Sequence, residues 1–463
     1  MNSDRRVSPV CLTRVDAPGV VSRELLRACA HFCVIPMPST TQTPITYRID
    51  ATTLNKVLAS RVVQIAGPSG AGKSSLLRAV IRAVPRHRVR SVPEALSESQ
   101  QHTASFDLLA GDATGRASTL SLAGLGEPRL WALPAGMLSV GERARLRLAM
   151  TMHACRAGDV VIADEFASNI DRACAYALCQ TTTRWARRLG ATLIVASAHE
   201  DLEPMLAPDI VVDARTRIAR SPCEPETQPL WIETGTIDDY HQLAHLHYRA
   251  GKPAAIVQTL RAMRTVPKHI EPSGRLLAGV LLVSMPTLNG IWRRRAWPGH
   301  FETPNKSANA QRLNAQMRMV SRVIVEPRSR GLGVATRLVR AYLEAPLTPG
   351  TEAVAAMGSV CPFFERAGMT PYEIEPDLPD SRLIDALGHL SLPPETLMHA
   401  QVEPRSMLMR ELVTWGKARK LLPAGKPTHE DIQRLTPIAA CRLCSRPRAY
   451  AYTKGDWGDE PDD

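Results

Sequence analysis

Long hydrophobic runs are missing from this sequence. No apolar stretch approaches the roughly 18 residues that a membrane-spanning helix needs, so we expect no membrane span. The charged start of the chain, Met1 to Ser8, is not followed by an apolar segment and therefore does not predict a secretory signal. The ten cysteines are scattered without the spacing of a disulfide framework. Together these absences favour a cytoplasmic location.

A second close pair of cysteines is also missing. Cys441 and Cys444 form the one tight pair, whereas a zinc ribbon needs two such pairs. Metal binding by this pair alone stays open. We find no internal repeat in the sequence.

Positive charge is present in excess. The formal net charge is +12 and the pI is near 9.4. Between Leu230 and Tyr372, Lys and Arg are about twice as frequent as Asp and Glu. A basic middle favours a polyanionic partner, and nucleic acid is the partner we expect. The alternative is a surface of solvated arginines without a polyanionic partner.

The chain is long enough for two hydrophobic cores. Composition predicts an irregular N-terminal segment (1–43), a first domain (44–221), a linker (222–229), a second domain (230–415) and a partly disordered C-terminal extension (416–463). In both domains short apolar runs alternate with longer amphipathic stretches, which predicts α/β architecture.

A glycine-rich loop follows the short apolar run Val62–Ala66. Residues Gly67 to Ser74 fit the pattern G-x-x-x-x-G-K-[ST]. Backbone N–H groups of such a loop surround phosphate oxygens, Lys73 reaches the terminal phosphates, and the Ser74 hydroxyl binds Mg²⁺. The residues that we predict to hold ATP here are Gly67, Ser69, Gly70, Gly72, Lys73, Ser74 and Ser75.

Three further motifs follow the loop in order. Leu138 to Glu142 precedes a helical run, Asp164-Glu165 ends an apolar strand, and His199 ends another. This ordered set resembles the ABC ATPase family over roughly residues 44 to 215. Leu138 to Glu142 is close to the LSGGQ signature of that family.

The resemblance to ABC ATPases implies a role for each motif. Asp164 would complete the Mg²⁺ site with Ser74, Glu165 would polarise the attacking water, and His199 would sense the γ-phosphate. Ser139 and Gly141 would contact ATP across an ATP-dependent homodimer. The family's D-loop would lie at Ser168 to Asp171.

Two features depart from transporter ATPases. The stretch 108–126 lacks the glutamine expected in the family's Q-loop, and the span from Lys73 to Ser139 is short. The shortened region and a second, fused domain argue against a transporter subunit.

A second glycine loop lies in the C-terminal half, after the apolar run that ends at Val325. Arg328, Gly331 and Gly333 precede an amphipathic helical pattern over 332–343. Glycines at these positions let the backbone approach a pyrophosphate at a helix N-terminus. Over about residues 230 to 415 the chain resembles the GNAT family of N-acetyltransferases, whose acetyl-CoA loop reads R/Q-x-x-G-x-G/A. The resemblance implies that acetyl-CoA or another acyl-CoA is held by Val325, Arg328, Arg330, Gly331, Leu332 and Gly333.

The general acid of such a reaction is not evident from the sequence. The GNAT family often carries a tyrosine where this chain has Phe364, which has no phenol. Ser359, Cys361 and Tyr372 lie nearby and stay open as substitutes.

Glu326 follows the apolar run and is our candidate for the base that takes a proton from an amine. Its alternative is a surface carboxylate beside Arg328. His245 and His247 fall on a helical pattern over Asp238 to Arg249, where two residues of separation make them face different ways. We expect one to line the site and the other to be structural.

A basic cluster, Arg293 to Arg295, stands between Trp292 and Trp297. Such a cluster can hold phosphates and stack a base, or it can be a solvated loop.

The function that these patterns predict is an ATP-hydrolysing, acyl-CoA-dependent N-acyltransferase that modifies a nucleic-acid base. Transfer from a thioester needs no hydrolysis, so we expect the ATPase to control access to a large acceptor. More loosely, the second domain is similar to the Mom-like acyltransferases of phages. Two alternatives stay open: a protein or small-molecule N-acetyltransferase with a regulatory ATPase, and a non-catalytic ATPase assembly factor.

Overall fold

The chain divides by its internal contacts into two compact units. The first contains the described residues up to Trp231 together with Met263–Ala278 and Val325–Val334, and the second contains the rest. Two stretches that follow the predicted linker in sequence thus belong to the first unit, because the units are defined by contacts in space and not by order along the chain. The computed structural model describes residues 10–14, 23, 45–199, 201–247, 253, 255–302, 304–400, 402–403, 406–423, 425–445, 447–455 and 457.

The first unit alternates strands and helices. Its strands are β1 (Val10–Arg14), β2 (Ile45–Ile49), β3 (Val62–Ala66), β4 (Val89–Ser91), β5 (Val160–Ala163), β6 (Thr192–Ser197), β7 (Ile210–Asp213) and β8 (Ala219–Arg220). Its helices are α1 (Ala51–Ala59), α2 (Lys73–Ala83), α3 (Glu98–His102), α4 (Ala113–Leu122), α5 (Pro128–Trp131), α6 (Val140–Ala154), α7 (Arg172–Leu189) and α8 (Leu202–Leu206).

Six strands of the first unit form one sheet in the order β4-β5-β6-β3-β7-β8. The ladders from β4 to β7 are parallel, and β8 is antiparallel to β7. Strands β3, β5 and β6 are buried on both faces, as expected for strands covered on both sides. One face packs against α7 and the other against α2, which places hydrophobic core on both sides of the sheet.

The N-terminal part that the sequence predicts to be irregular contains a strand. β1 pairs antiparallel with β2, from Val10 opposite Ile49 to Arg14 opposite Ile45. The short helical pattern noted around Leu25 to Cys33 lies outside the described residues.

The second unit carries most of a seven-stranded sheet. The remaining strands are β9 (Leu230–Thr234), β10 (Ile256–Thr265), β11 (Arg275–Ser284), β12 (Met317–Val325), β13 (Gly350–Ala355), β14 (Thr370–Glu373) and β15 (Arg448–Thr453). The remaining helices are α9 (Ile237–Leu243), α10 (Arg293–Ala296), α11 (Lys306–Gln316), α12 (Val334–Glu344), α13 (Phe363–Ala367), α14 (Leu378–His389), α15 (Met407–Ala418) and α16 (His429–Cys444).

The order of this second sheet is β14-β15-β13-β12-β11-β10-β9. β12 and β13 are parallel, with Met317–Val320 opposite Gly350–Ala353. The last strand of the chain, β15, lies between β13 and β14 and is antiparallel to both. Residues 416–463, which the sequence predicts to be a partly disordered extension, therefore include an internal strand of the sheet.

Helices α14, α15 and α16 build a separate apolar cluster around the buried Trp415. Within the described residues, no helix is both long and apolar enough to cross a membrane.

Candidate nucleotide site and second glycine loop

The motifs of the first unit meet at one edge of its sheet. Ala66, the last residue of β3, is opposite Ser197, the last residue of β6, while Ala163 at the end of β5 is opposite Val195. Because the three strands are parallel and adjacent, the segments that follow them emerge at the same edge, about 5 Å apart from strand to strand. This edge is where ligands of open α/β sheets bind.

The loop after β3 has the backbone that a phosphate cradle requires. Gly67, Gly70 and Gly72 have φ values of +147°, +78° and +89°, which other residues rarely adopt. A β carbon on Gly70 would meet nothing within 4 Å, so the cradle is open there. Lys73 Nζ donates to the carbonyl oxygens of Gly67 and Pro68, both at 2.9 Å, and so lies over the loop.

Two exposed carboxylates follow β5. The Glu165 backbone N–H donates to Asp164 Oδ1 at 3.0 Å. Glu165 itself has φ +50° and the nearby Ala167 has φ +58°. Positive φ in residues other than glycine costs about 1–2 kcal/mol each and is concentrated at functional sites.

His199 follows β6 and its side chain is exposed at the same edge. Its backbone N–H donates to Ser197 Oγ at 3.1 Å, which fixes the direction of the chain after the strand.

The predicted signature forms the start of α6. The Ser139 hydroxyl accepts from the Glu142 N–H at 3.3 Å, and the Ser139 N–H donates to Glu142 Oε2 at 2.8 Å. This reciprocal capping box fixes the helix start. A β carbon on Gly141 would lie 3.0 Å from the carbonyl oxygen of Asn169, so signature and predicted D-loop adjoin within one chain.

The second glycine loop lies between β12 and α12. Gly331 and Gly333 have φ values of +78° and +80°, and the turn Pro327–Ser329 precedes them. A β carbon on Gly333 would meet nothing within 4 Å. The strand, loop and helix thus occur in the predicted order.

The loop also contacts helix α7. Both are parts of the first unit, which includes Val325–Val334. A β carbon on Gly331 would overlap Thr181 Cγ2, and Arg184 Nη2 donates to the Gly331 carbonyl at 2.6 Å. Leu332 packs against the core cluster around α7. Close packing against α7 therefore requires glycine at position 331, a reason that the sequence motif does not reveal.

Glu326 pairs with Arg328, as the alternative interpretation expects, but its side chain is only 13% exposed and is not a surface carboxylate. Arg328 Nε donates to Glu326 Oε1 at 2.7 Å. The other carboxylate oxygen, Oε2, is buried and has no hydrogen-bond partner among the described residues.

Two further sequence predictions need correction. The helix that begins at Ile237 ends at Leu243, so His245 and His247 are not on its face as the pattern predicts. His245 lies in a short 3₁₀ turn, and the chain is extended at His247. Arg249 lies outside the described residues.

The prediction that the arginine cluster holds phosphates also needs correction. Arg293 is buried and makes a bidentate pair with Glu352, with both N–O distances at 2.6 Å. Trp292 and Trp297 are buried in an aromatic cluster. A side chain so enclosed cannot reach a phosphate, and within the triplet only Arg294 and Arg295 are exposed.

One phenol beside Phe364 was missed by sequence reasoning. The ring of Tyr450, on β15, lies 4.9 Å from the Phe364 ring, and its hydroxyl is 3.4 Å from Glu365 Oε1. Burial, with the adjacent Glu365, raises the pKa of Tyr450 to about 12. Phe364 and Tyr450 are 86 positions apart in the sequence, which explains why no local pattern revealed the pair.

Cys441 and Cys444 are exposed on α16. Across the part of the chain that the structure describes, His, Cys, Asp and Glu form no group able to hold a metal ion.

Comparisons with known proteins give matches among solved structures alone. No family model matches the chain, and no curated protein matches it significantly. Similar solved structures include the ADP conformation of MJ1267, an ATP-binding cassette of an ABC transporter, at 10% identity and a TM-score of 0.30, covering 40% of this chain and 84% of that chain. They also include cbiO1 from Clostridium perfringens, part of the ABC transporter complex cbiONQ, at 18% identity and a TM-score of 0.27, covering 37% and 78%.

A third similar structure is that of MJ0796, a dimeric bacterial ABC transporter cassette, at 15% identity and a TM-score of 0.29, covering 35% of this chain and 85% of that chain. These scores are low, so the interpretation of the first unit depends on its own geometry.

Proposed function

We propose that the first unit binds and hydrolyses ATP with Mg²⁺ in the manner of ABC ATPases. One observation carries this proposal: the register of β3, β6 and β5 brings the glycine loop, His199 and the Asp164-Glu165 pair to one edge. The open cradle at Gly70 fits a phosphate, and Lys73 lies over it.

The residues at this edge divide the chemistry of phosphoryl transfer among them. Such transfer needs charge neutralisation and a positioned water more than it needs covalent help. Lys73 supplies positive charge at the phosphates, while Ser74 and Asp164 supply the oxygen ligands that Mg²⁺ prefers. Glu165 orients the attacking water, and His199 contacts the terminal phosphate.

The test of this proposal is ATP hydrolysis by the purified full chain. We expect Lys73→Ala to abolish hydrolysis and weaken ATP binding, because the loop then loses its cation. Lys56→Ala is the matched control, since Lys56 is an exposed lysine in the last turn of α1. Equal hydrolysis by the two variants would reject the assignment.

We further propose that the second glycine loop binds an acyl-CoA and that the chain is an N-acyltransferase. The observation in favour is the strand–loop–helix at the end of the parallel pair β12/β13, with the cradle open at Gly333. Val325, Arg328, Arg330, Gly331, Leu332 and Gly333 would hold the pyrophosphate. Acyl-CoA, when bound, supplies an acyl group on a thioester.

Glu326 is the residue of this loop that can move a proton. Its Oε2 oxygen accepts no hydrogen bond from the described residues; because it is buried, an attacking amine reaches it to give up a proton only after the neighbouring chain moves. Arg328 holds the other oxygen and keeps the carboxylate in position.

Calorimetry with acetyl-CoA tests the loop. We expect Gly333→Asp to abolish binding, because it places a side chain and a negative charge in the cradle. Gly299→Asp is the matched control, since Gly299 also has positive φ and open space. Acetyl-CoA binding that survives Gly333→Asp would reject the loop as its site.

The acceptor that we propose is an amine of a nucleic-acid base. The net charge of +12 supports a polyanion, although the buried Arg293 removes one expected contact. Titration with DNA and RNA should show log K falling with log salt by about 0.9 per duplex phosphate contact. A mass search for acylated bases in DNA and RNA from expressing cells identifies the acceptor. Modified protein or metabolites in place of bases would favour the alternative of a protein or small-molecule acetyltransferase with a regulatory ATPase.

The non-catalytic assembly factor is the other alternative. It predicts that acyl-CoA does not bind at all, so the calorimetry above distinguishes it from both enzymes.

A further inference from the structure

An anionic ligand on the second glycine loop would need the positive charge of Arg330, and Arg330 already has an anion beside it. Arg330 Nη1 lies 2.8 Å from Glu127 Oε1, in the segment just before α5. Both side chains are largely enclosed, at 17% and 13% exposed. A pyrophosphate that uses Arg330 must therefore displace a carboxylate that belongs to the same chain.

Glu127 is held in its charged form. Burial would raise the pKa of Glu127, but Arg330 and Arg129 outweigh burial, and the pKa lies below its ordinary value. The carboxylate therefore remains an anion at neutral pH and repels a second anion at the loop.

The backbone of the loop is clamped as well. Arg184 donates to the Gly331 carbonyl, and Thr181 fills the space beside the Gly331 α carbon. A small cavity of about 10 Å³ lies beside the loop, lined by Thr181, Pro327 and Arg330 among others. That volume holds about one water molecule, so the space between the loop and α7 cannot take a phosphate group.

The clamp and the nucleotide edge share one helix. α7 begins at Arg172. Asp171, the last residue of the predicted D-loop, caps the helix by accepting from the Cys174 N–H at 3.0 Å. Thr181 is ten residues further along, or roughly 15 Å at 1.5 Å per residue. A helix is stiff over this length, so movement at its start reaches the clamp.

We propose that Glu127, Thr181 and Arg184 form an autoinhibitory latch on the loop 328–333, with Glu127 acting as an internal competitor of the anionic ligand. This inference rests on the proposed acyl-CoA binding by the loop. The latch is independent of any acceptor, and its opening is the step that makes the loop available.

Hydrogen exchange of the amides of residues 328–333 tests the latch directly. Glu127→Gln keeps the shape of the side chain but removes its charge, and we expect at least fivefold faster exchange. Arg184→Ala should do the same, because it removes the bond to the Gly331 carbonyl. Glu94→Gln and Arg188→Ala are matched controls, since both residues are exposed in the same unit and should leave the loop unchanged.

Binding of coenzyme A and inorganic pyrophosphate is measured alongside, in a Lys73→Ala background that removes the first glycine loop as a competing site. We expect Glu127→Gln to increase affinity at least fivefold over the background variant. Faster exchange without binding of either probe in any variant would keep the latch and reject the proposed acyl-CoA site. Binding that is equal in both variants, with unchanged exchange, would overturn the latch and keep the site.

Discussion

At the scale of single residues, Glu165 is where backbone strain and proposed chemistry coincide. A glutamate at φ +50° carries a conformational cost of the kind that is concentrated at functional sites. Its exposed side chain lies at the sheet edge from which the glycine loop after β3 also emerges. The strain is therefore an argument for function that is independent of the motif.

We expect Glu165→Gln to retain ATP binding and to slow hydrolysis by about 10²–10⁴-fold, the range attributed to general acid–base groups. The amide keeps the size of the side chain but cannot attract a proton from water. Steady-state hydrolysis and nucleotide binding are measured on the same preparation. A loss of less than tenfold would assign the role to another group.

Arg293 shows the opposite case, a residue that looks functional in sequence and is structural in the fold. Its guanidinium pairs with Glu352, at 5% and 2% side-chain exposure, and also donates to the Thr287 carbonyl at 2.6 Å. Burial raises the pKa of Glu352 even beside this arginine. Removal of Arg293 would leave a carboxylate in the core without a partner.

We expect Arg293→Met to lower the free energy of unfolding by about 3–5 kcal/mol, as for other buried pairs broken on one side. The loss should shrink as the pH falls through the raised pKa of Glu352, because the protonated carboxyl carries no charge. Arg294→Met is the control, since its pair with Glu302 is exposed and should contribute no more than about 1 kcal/mol. Denaturant titrations of the wild type and both variants at two pH values measure the loss caused by Arg293→Met, its change with pH, and the loss caused by Arg294→Met.

These residues show what sequence can predict and why. Gly67 to Ser74 was recognisable because eight consecutive residues carry the whole loop. The partner of Arg293 is 59 positions away, and Thr181 is 150 positions from Gly331, so neither contact leaves a local pattern. The sequence predicts where the glycines of both loops lie, but it does not reveal that packing against α7 requires glycine at position 331.

At the scale of elements, β15 decides where the second unit ends. The sequence predicts a boundary at residue 415, yet β15 pairs with β13 over six positions and with β14 over four. Hydrophobic periodicity cannot reveal such an insertion, because it describes which face of a strand is buried and not which strands are neighbours.

We expect truncation after Trp415 to prevent folding of the second unit, since β13 and β14 would lose the strand between them. Truncation after Trp457 is the control, because it keeps β15 and the packing of Trp457 against His300. Circular dichroism and the cooperativity of thermal unfolding compare the two. A cooperative transition in the shorter chain would contradict the assigned role of β15.

At the scale of the whole molecule, two exposed apolar side chains lie beside the predicted signature. Met137 and Val140 flank Ser139 at 71% and 55% exposure. Exposed apolar side chains beside a proposed ATP contact suit an interface between two copies of the chain.

We expect Glu165→Gln with saturating ATP to form a dimer, because slow hydrolysis preserves the nucleotide between the subunits. Adding Met137→Ser and Val140→Ser should weaken that dimer at least tenfold. Ile218→Ser is the control, since Ile218 is similarly exposed, at 63%, but distant in sequence from the signature. Sedimentation that shows a monomer with ATP in every variant would reject the dimer.

The position of β15 also affects how the chain is made. β13 ends at Ala355 and its partner strand begins at Arg448, so 93 residues of translation separate the two. At about 5–20 residues per second, the edge of β13 waits roughly 5–20 s on the ribosome before its neighbour exists. An unpaired strand edge is a template for pairing with other chains. The unpaired edge of β13 is therefore exposed to pairing with other nascent chains during this interval, and we expect the yield of folded protein to fall as polysomes become crowded.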